Sequence, residues 1–168
     1  MRVFVSILIL AVSAFAQVSP AAPTPACGPA NISFSVQLDD SQHTPAEPEP
    51  GKARVYFVHD AGTGFLAWYP TVKVAVDGTW VGANHGNSYF SVSVDPGEHH
   101  VCVNLQSSVV AQRVELAHFT ATAGSVYYYR TRLVVSRSVE LLQLEAIDSD
   151  QGQYLVELFP LAAAKPKK

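Results

Sequence analysis

From Val72 to Leu105 the chain alternates apolar and polar residues and is cut at short intervals by turn dipeptides. A period of two means a pleated strand with one buried face. Val72, Val74 and Val76 alternate with Lys73 and Ala75, and Phe90, Val92 and Val94 alternate with Ser91 and Ser93. His99, Val101, Val103 and Leu105 then share one face, leaving Glu98, His100, Cys102 and Asn104 on the other. Asp77-Gly78 suits a two-residue hairpin, whose central positions need positive φ, and Pro96-Gly97 supplies the next turn. The stretch therefore predicts a meander of short antiparallel strands on which the rest of the chain packs.

The flanks extend the pattern. Lys52 to Val58 reads as a strand with Ala53, Val55 and Phe57 inward, and further strands are expected over residues 113–121, 126–135 and 139–146. Short strands between turn signals, with little helix, predict an all-β antiparallel sandwich over residues 52–146. Asp148 can cap a short amphipathic helix within residues 147–160, offering Tyr154, Leu155 and Leu158 for packing, although Gly152 weakens it. Residues 161–168, ending Lys165-Pro166-Lys167-Lys168, are expected to form a disordered tail. Seven of the 11 prolines fall between Pro20 and Pro50, so residues 17–51 read as an extended arm. Within it, residues 31–38 alternate strictly and could add an edge strand. Asn31-Ile32-Ser33 also matches the N-glycosylation acceptor pattern, relevant only in a eukaryotic secretory pathway. There is no internal repeat.

Residues 1–16 have a different character. Arg2, the apolar run Val3 to Val12 and the small-x-small triplet Ala14-Phe15-Ala16 make a secretory signal peptide too short to span a membrane. The expected location is exported, periplasmic or extracellular, with no integral membrane segment after cleavage. The mildly negative chain argues against nucleic acid as a partner. Cys27 and Cys102 are the two cysteines, and an even count in an oxidising compartment points to one disulfide. A lipid-modified Cys27 is the rival reading, but Thr24-Pro25-Ala26 is no lipobox.

The residues that could carry chemistry each meet a structural alternative. Six histidines (His43, His59, His85, His99, His100 and His118) show no H-x-x-x-H spacing, and adjacent His99 and His100 must point to opposite faces. No metal, cofactor or catalytic residue is therefore assigned. No serine sits in a G-x-S-x-G elbow, and Gly62-Thr63-Gly64 precedes no predicted helix. Asp148, Asp150 and Glu157 are explained by capping and solubility. Cys102 near His100 is better explained by a disulfide than by thiol catalysis. Phe65, Trp68, Tyr69 and Trp80 either cover the open end of the sandwich or, with Trp68, Tyr69 and Trp80 as the candidates, stack on a sugar or peptidoglycan ligand.

Gly51-Lys52-Ala53-Arg54-Val55-Tyr56-Phe57, Val76-Asp77-Gly78, Val81-Gly82, Gly86-Asn87-Ser88-Tyr89-Phe90, Pro96-Gly97-Glu98-His99 and Ala123-Gly124-Ser125-Val126-Tyr127-Tyr128 together resemble the bacterial DUF2846 family. The resemblance runs from about Lys52 to Glu145, with Ser125 where lysine is more usual. It implies a small extracytoplasmic β-sandwich, prealbumin-like or carboxypeptidase-regulatory-like, with no established catalytic residues. The expected function is non-catalytic surface recognition of an envelope protein or glycan. The alternatives are a carbohydrate-binding module and a small metal-binding protein or hydrolase using His85, His99 or His118.

Overall fold

The computed structural model describes residues 26–42, 45–61, 70–106, 114–136 and 139–167. Among these, ten strands and one helix follow in the order β1 (Phe34–Asp39), β2 (Ala53–His59), β3 (Thr71–Val76), β4 (Thr79–His85), β5 (Ser88–Val94), β6 (Gly97–Gln106), β7 (Val114–Ala121), β8 (Val126–Ser136), β9 (Val139–Ile147), α1 (Ser149–Leu158) and β10 (Leu161–Pro166). They make a sandwich of a large sheet, β1-β10-β5-β2-β8-β9, and a small one, β4-β3-β6-β7. The central stretch is not a continuous meander. β3 pairs with both β4 and β6, while β5 crosses to the large sheet and pairs antiparallel with β2. The β2–β8 and β10–β5 pairings are parallel.

Between the sheets, the alternating residues meet as predicted. Val55 and Phe57 of β2 face Val72 and Val74 of β3, Val101, Val103 and Leu105 of β6, and Phe90 of β5. Phe57 lies 5.5 Å from Phe90 and 6.0 Å from Tyr129, ring centre to ring centre. Each such ring removes on the order of 150–250 Å² from water, which makes this layer the main stabilising element. Asp77 and Gly78 take φ of 49° and 76°, as the two-residue hairpin requires.

The large sheet has a second apolar layer on its outer face. Tyr56, Val58, Tyr89 and Tyr128 pack there against Leu155, Val156 and Phe159. The helix starts as expected, with the Asp148 carboxylate accepting from the Gln151 N–H at 2.8 Å. Its buried side differs from the sequence reading: Leu155 and Val156 are covered, whereas Tyr154 and Leu158 stay exposed. Turning the helix this way brings Gly152 flat against the Tyr128 ring. The tyrosine hydroxyls also hold the chain before β2. Tyr56 Oη accepts from Ala46 N–H and donates to the Ala46 carbonyl, and Tyr89 Oη donates to the Gln42 carbonyl.

The expectation of a disordered tail over 161–168 is corrected. Leu161 to Pro166 form β10, which pairs with β1 along six residues and touches β5 at Leu161. Pro166 sits at the strand end, where a missing N–H costs little. The three alanines before Lys165 carry too little side chain to announce a strand. It is their partner β1, distant in sequence, that fixes them.

Candidate functional site

The centre of the small sheet, β3 and the second half of β6, is buried on both faces. Lys73, Ala75, Cys102 and Asn104, placed on the polar side by alternation, are all buried. The cover is the N-terminal arm. Cys27 and Cys102 form a disulfide with their Cα atoms 5.1 Å apart. Around it the Gly78 N–H donates to the Ala26 carbonyl and Trp80 Nε1 to the Pro29 carbonyl. Lys73 Nζ donates to the Ile32 carbonyl at 2.6 Å. The Gln106 amide then acts as a strand edge, accepting from Phe34 N–H and donating to Phe34 C=O.

Trp80 belongs to this cover. A Cβ on Gly28 would stand 2.5 Å from Trp80 Cδ1, so the arm lies directly on the indole. The Lys73 ammonium sits 4.3 Å from the ring centre, a cation–π contact that offsets part of its burial. Burial holds the Lys73 pKa below its ordinary value. Trp68 and Tyr69, the other two proposed stacking residues, lie outside the described residues, as does His43.

His59, from the end of β2, enters the opposite end of the core with no exposed surface. Its Nδ1 is 3.0 Å from Thr131 Oγ1 and 3.2 Å from the Thr131 carbonyl. Since Thr131 Oγ1 donates its proton to the Val58 carbonyl, both neighbours of Nδ1 accept. The proton therefore resides on Nδ1 and Nε2 carries a lone pair. That nitrogen has no hydrogen-bond partner among the described residues. Burial pushes the pKa down to about 4, against the Thr131 carbonyl and Asp60, so the ring is neutral. Beside it, Asn84 donates to the Phe57 carbonyl and accepts from Ser88 Oγ. Outside, Asp60 accepts from Arg132 and Glu145 from Arg130.

At the other end of the sandwich His99 is saturated. Nδ1 meets Asp77 Oδ2 at 2.6 Å and Nε2 meets the Asp95 carbonyl at 2.7 Å. Two acceptors require two ring protons, which is the imidazolium. Burial opposes that charge, but the Asp95 carbonyl and the Asp77 carboxylate outweigh it, and the His99 pKa is raised. Asp77, despite burial, is held below its ordinary value by the His100 N–H and by His99. No nitrogen is left to act on a substrate. His100 points the other way, as strand alternation requires, and stands across from His118. His85 Nδ1 is 3.3 Å from Thr71 Oγ1. Among the described residues no three His, Cys, Asp or Glu side chains are grouped to hold a metal ion.

The His99 lock makes stability depend on pH. Its contribution is full below the ordinary imidazole value of 6.5 and is lost as pH rises through the higher folded value. The Asp77 contribution is present above its ordinary value of 3.8 and is lost as pH falls through the lower folded value. Urea unfolding of wild type and His99→Gln should therefore differ most between about pH 4 and pH 6.5 and converge above it. A difference that grows towards alkaline pH would contradict the imidazolium assignment.

The remaining features lie on the edges formed by β7 and β9. Among the described residues β7 and β9, like β1 and β4, each pair on one side only. Val114 and Leu116 of β7, 43% and 62% exposed, and Leu141 of β9, 38% exposed, face solvent. Between these edges a groove of about 400 Å³ is lined by Glu115 and residues 141–145. Residues 49–142 match the family described as "Protein of unknown function (DUF2846)".

The chain belongs to the DUF2846 family.

No curated protein and no solved structure matches the chain. The DUF2846 match covers β2 to β8 and part of β9. The disulfide arm and α1 are thus additions packed on the two outer faces of the family domain, while β10, with β1, extends its large sheet. No helix among the described residues is long and apolar enough to cross a membrane.

The sequence reading missed one feature of this arrangement. His59 follows the apolar run Val55 to Val58, whose burial was the signal for a sealed imidazole. The arm's path was legible: alternation puts Cys102 on the polar face of its strand, so an arm bonded to it through Cys27 has to cross that face, and it does.

Proposed function

We propose that this DUF2846 chain is an exported, non-catalytic module that recognises a partner protein in the cell envelope. Residues 1–16 are its signal peptide and residues 17–51 its arm, and residues 52–146 form the sandwich together with β1 and β10. The observation that supports the reading is the contrast between the two kinds of side chain. His59 and His99 are tied into packing and hydrogen bonds, while Val114 and Leu116 on the open strand β7 are left apolar and exposed. Large apolar side chains side by side on a strand are how a surface for protein contact is made.

A glycan-stacking surface of Trp68, Tyr69 and Trp80 is the second reading. It is supported by the part of the Trp80 indole that the arm leaves uncovered.

Immobilised, disulfide-intact protein should retain an envelope protein that the Leu116→Lys variant releases. Identical capture by both baits would contradict a β7 surface. Retention by insoluble peptidoglycan, lost in Trp80→Ala, would replace the first reading with the second.

A further inference from the structure

We infer that the open edge of β9 pairs with the β9 edge of a second copy, joining two large sheets into one across a twofold axis. This goes beyond the recognition of an envelope partner and rests on β9 alone. A sheet edge is a template for another strand, and proteins blunt exposed edges with proline, lysine, bulges or shortness. β9 has none of these four, and its charges are two glutamates, of which Glu145 is paired with Arg130. It is nine residues long, Val139 to Ile147, with no proline or lysine. Its register with β8 runs unbroken from Ser136↔Val139 to Tyr128↔Ile147. No described strand pairs with its far edge, and Leu141, Gln143, Glu145 and Ala146 are exposed.

The sequence of β9 also fits itself. In an antiparallel pair of identical strands, full overlap of residues 139–147 places Gln143 on the axis, opposite Gln143 of the second copy. Leu141 then faces Glu145, and Leu142 faces Leu144. No two like charges oppose each other, which is the condition for cross-strand pairing. The paired Gln143 amides each donate and accept, so they satisfy one another. Glu145 adds no free charge at the seam, because Arg130 holds it at 2.6 and 2.8 Å. Glu115, which lines the groove beside β9, lies on β7 and takes no part in this register.

The position on the axis supplies the test. Gln143 is exposed, so its replacement leaves the fold intact, yet any charge placed there meets its own copy. Sedimentation velocity of the disulfide-intact wild type over a concentration series should show a monomer–dimer equilibrium. Gln143→Lys alone and Gln143→Glu alone should each remain monomeric, since each puts like charges face to face. An equimolar mixture of the two should dimerise again, through Lys opposite Glu. A wild type that stays monomeric throughout overturns the inference. So does dimerisation of Gln143→Lys equal to that of wild type, which would place the contact elsewhere. Loss of the envelope partner in Leu116→Lys leaves this result untouched, so the two proposals fail separately.

Discussion

Replacing both Cys27 and Cys102 by alanine is expected to lower the unfolding free energy by roughly 4 kcal/mol in the chain-entropy account of a cross-link. The cysteines are 75 residues apart. Without the link, the unfolded chain regains the freedom of that whole loop. A second cost adds to this in the native state. Apart from the β1–β10 ladder, which holds the later part of the arm, residues 26–34 cover Lys73, Ala75 and Asn104 and are fastened by the bonds of Gly78 to Ala26, Trp80 to Pro29, Lys73 to Ile32 and Gln106 to Phe34. Each exchanges with water when the arm lifts, so each is worth only about 0.5–1.5 kcal/mol. They hold the arm well when the disulfide keeps it near, and weakly otherwise. The core between the sheets does not touch these groups and should survive. Urea unfolding of oxidised wild type against the double alanine variant measures the effect. An unchanged midpoint would mean the arm contributes nothing to stability.

Gly152→Ala is expected to destabilise the protein, although alanine is favoured over glycine in an exposed helix by about 1 kcal/mol. A Cβ at this position would stand 2.2 Å from Cγ of Tyr128 and 2.4 Å from Cδ1. Non-bonded carbon atoms do not approach so closely, so either α1 or the tyrosine must move. Tyr128 cannot yield easily, because it stacks on Tyr56 at 5.1 Å. Overpacking of this kind costs about 1–3 kcal/mol, enough to reverse the gain in helix propensity. The background decides the cause. In Tyr128→Ala the same glycine replacement should become neutral or stabilising, the mark of two residues in direct contact. Equal losses in both backgrounds, read from thermal or urea unfolding, would assign the effect to the helix itself.

Gly152 also shows how far the sequence could be read. Propensity marks it as a weakness in the helix, whereas packing makes it a requirement, and that requirement lies in Tyr128, far away in sequence. The strands were legible because a period of two and a turn dipeptide are local signals. Val72, Val74 and Val76 face the core as their alternation says. Their neighbours Lys73 and Ala75 do not face water, because the arm arrives from outside the pattern. Cys27 and Cys102 announced that arrival through chemistry rather than periodicity. β10 had no such signal. Leu161 to Ala164 is short and bland, and its pairing with β1 spans the chain. His99 was legible as a strand residue, but its saturation depends on Asp77 and Asp95 in two separate turns.

The central claim is that the small sheet's second buried face is made by the arm and held there by the Cys27–Cys102 bond. Hydrogen exchange on oxidised and reduced protein tests it most directly, since exchange reports opening segment by segment. On reduction, amides of residues 26–34 should lose protection first, while β2, β3 and β6 keep theirs. Arm amides that stay as protected after reduction as before would contradict the account, as would a simultaneous loss across every strand.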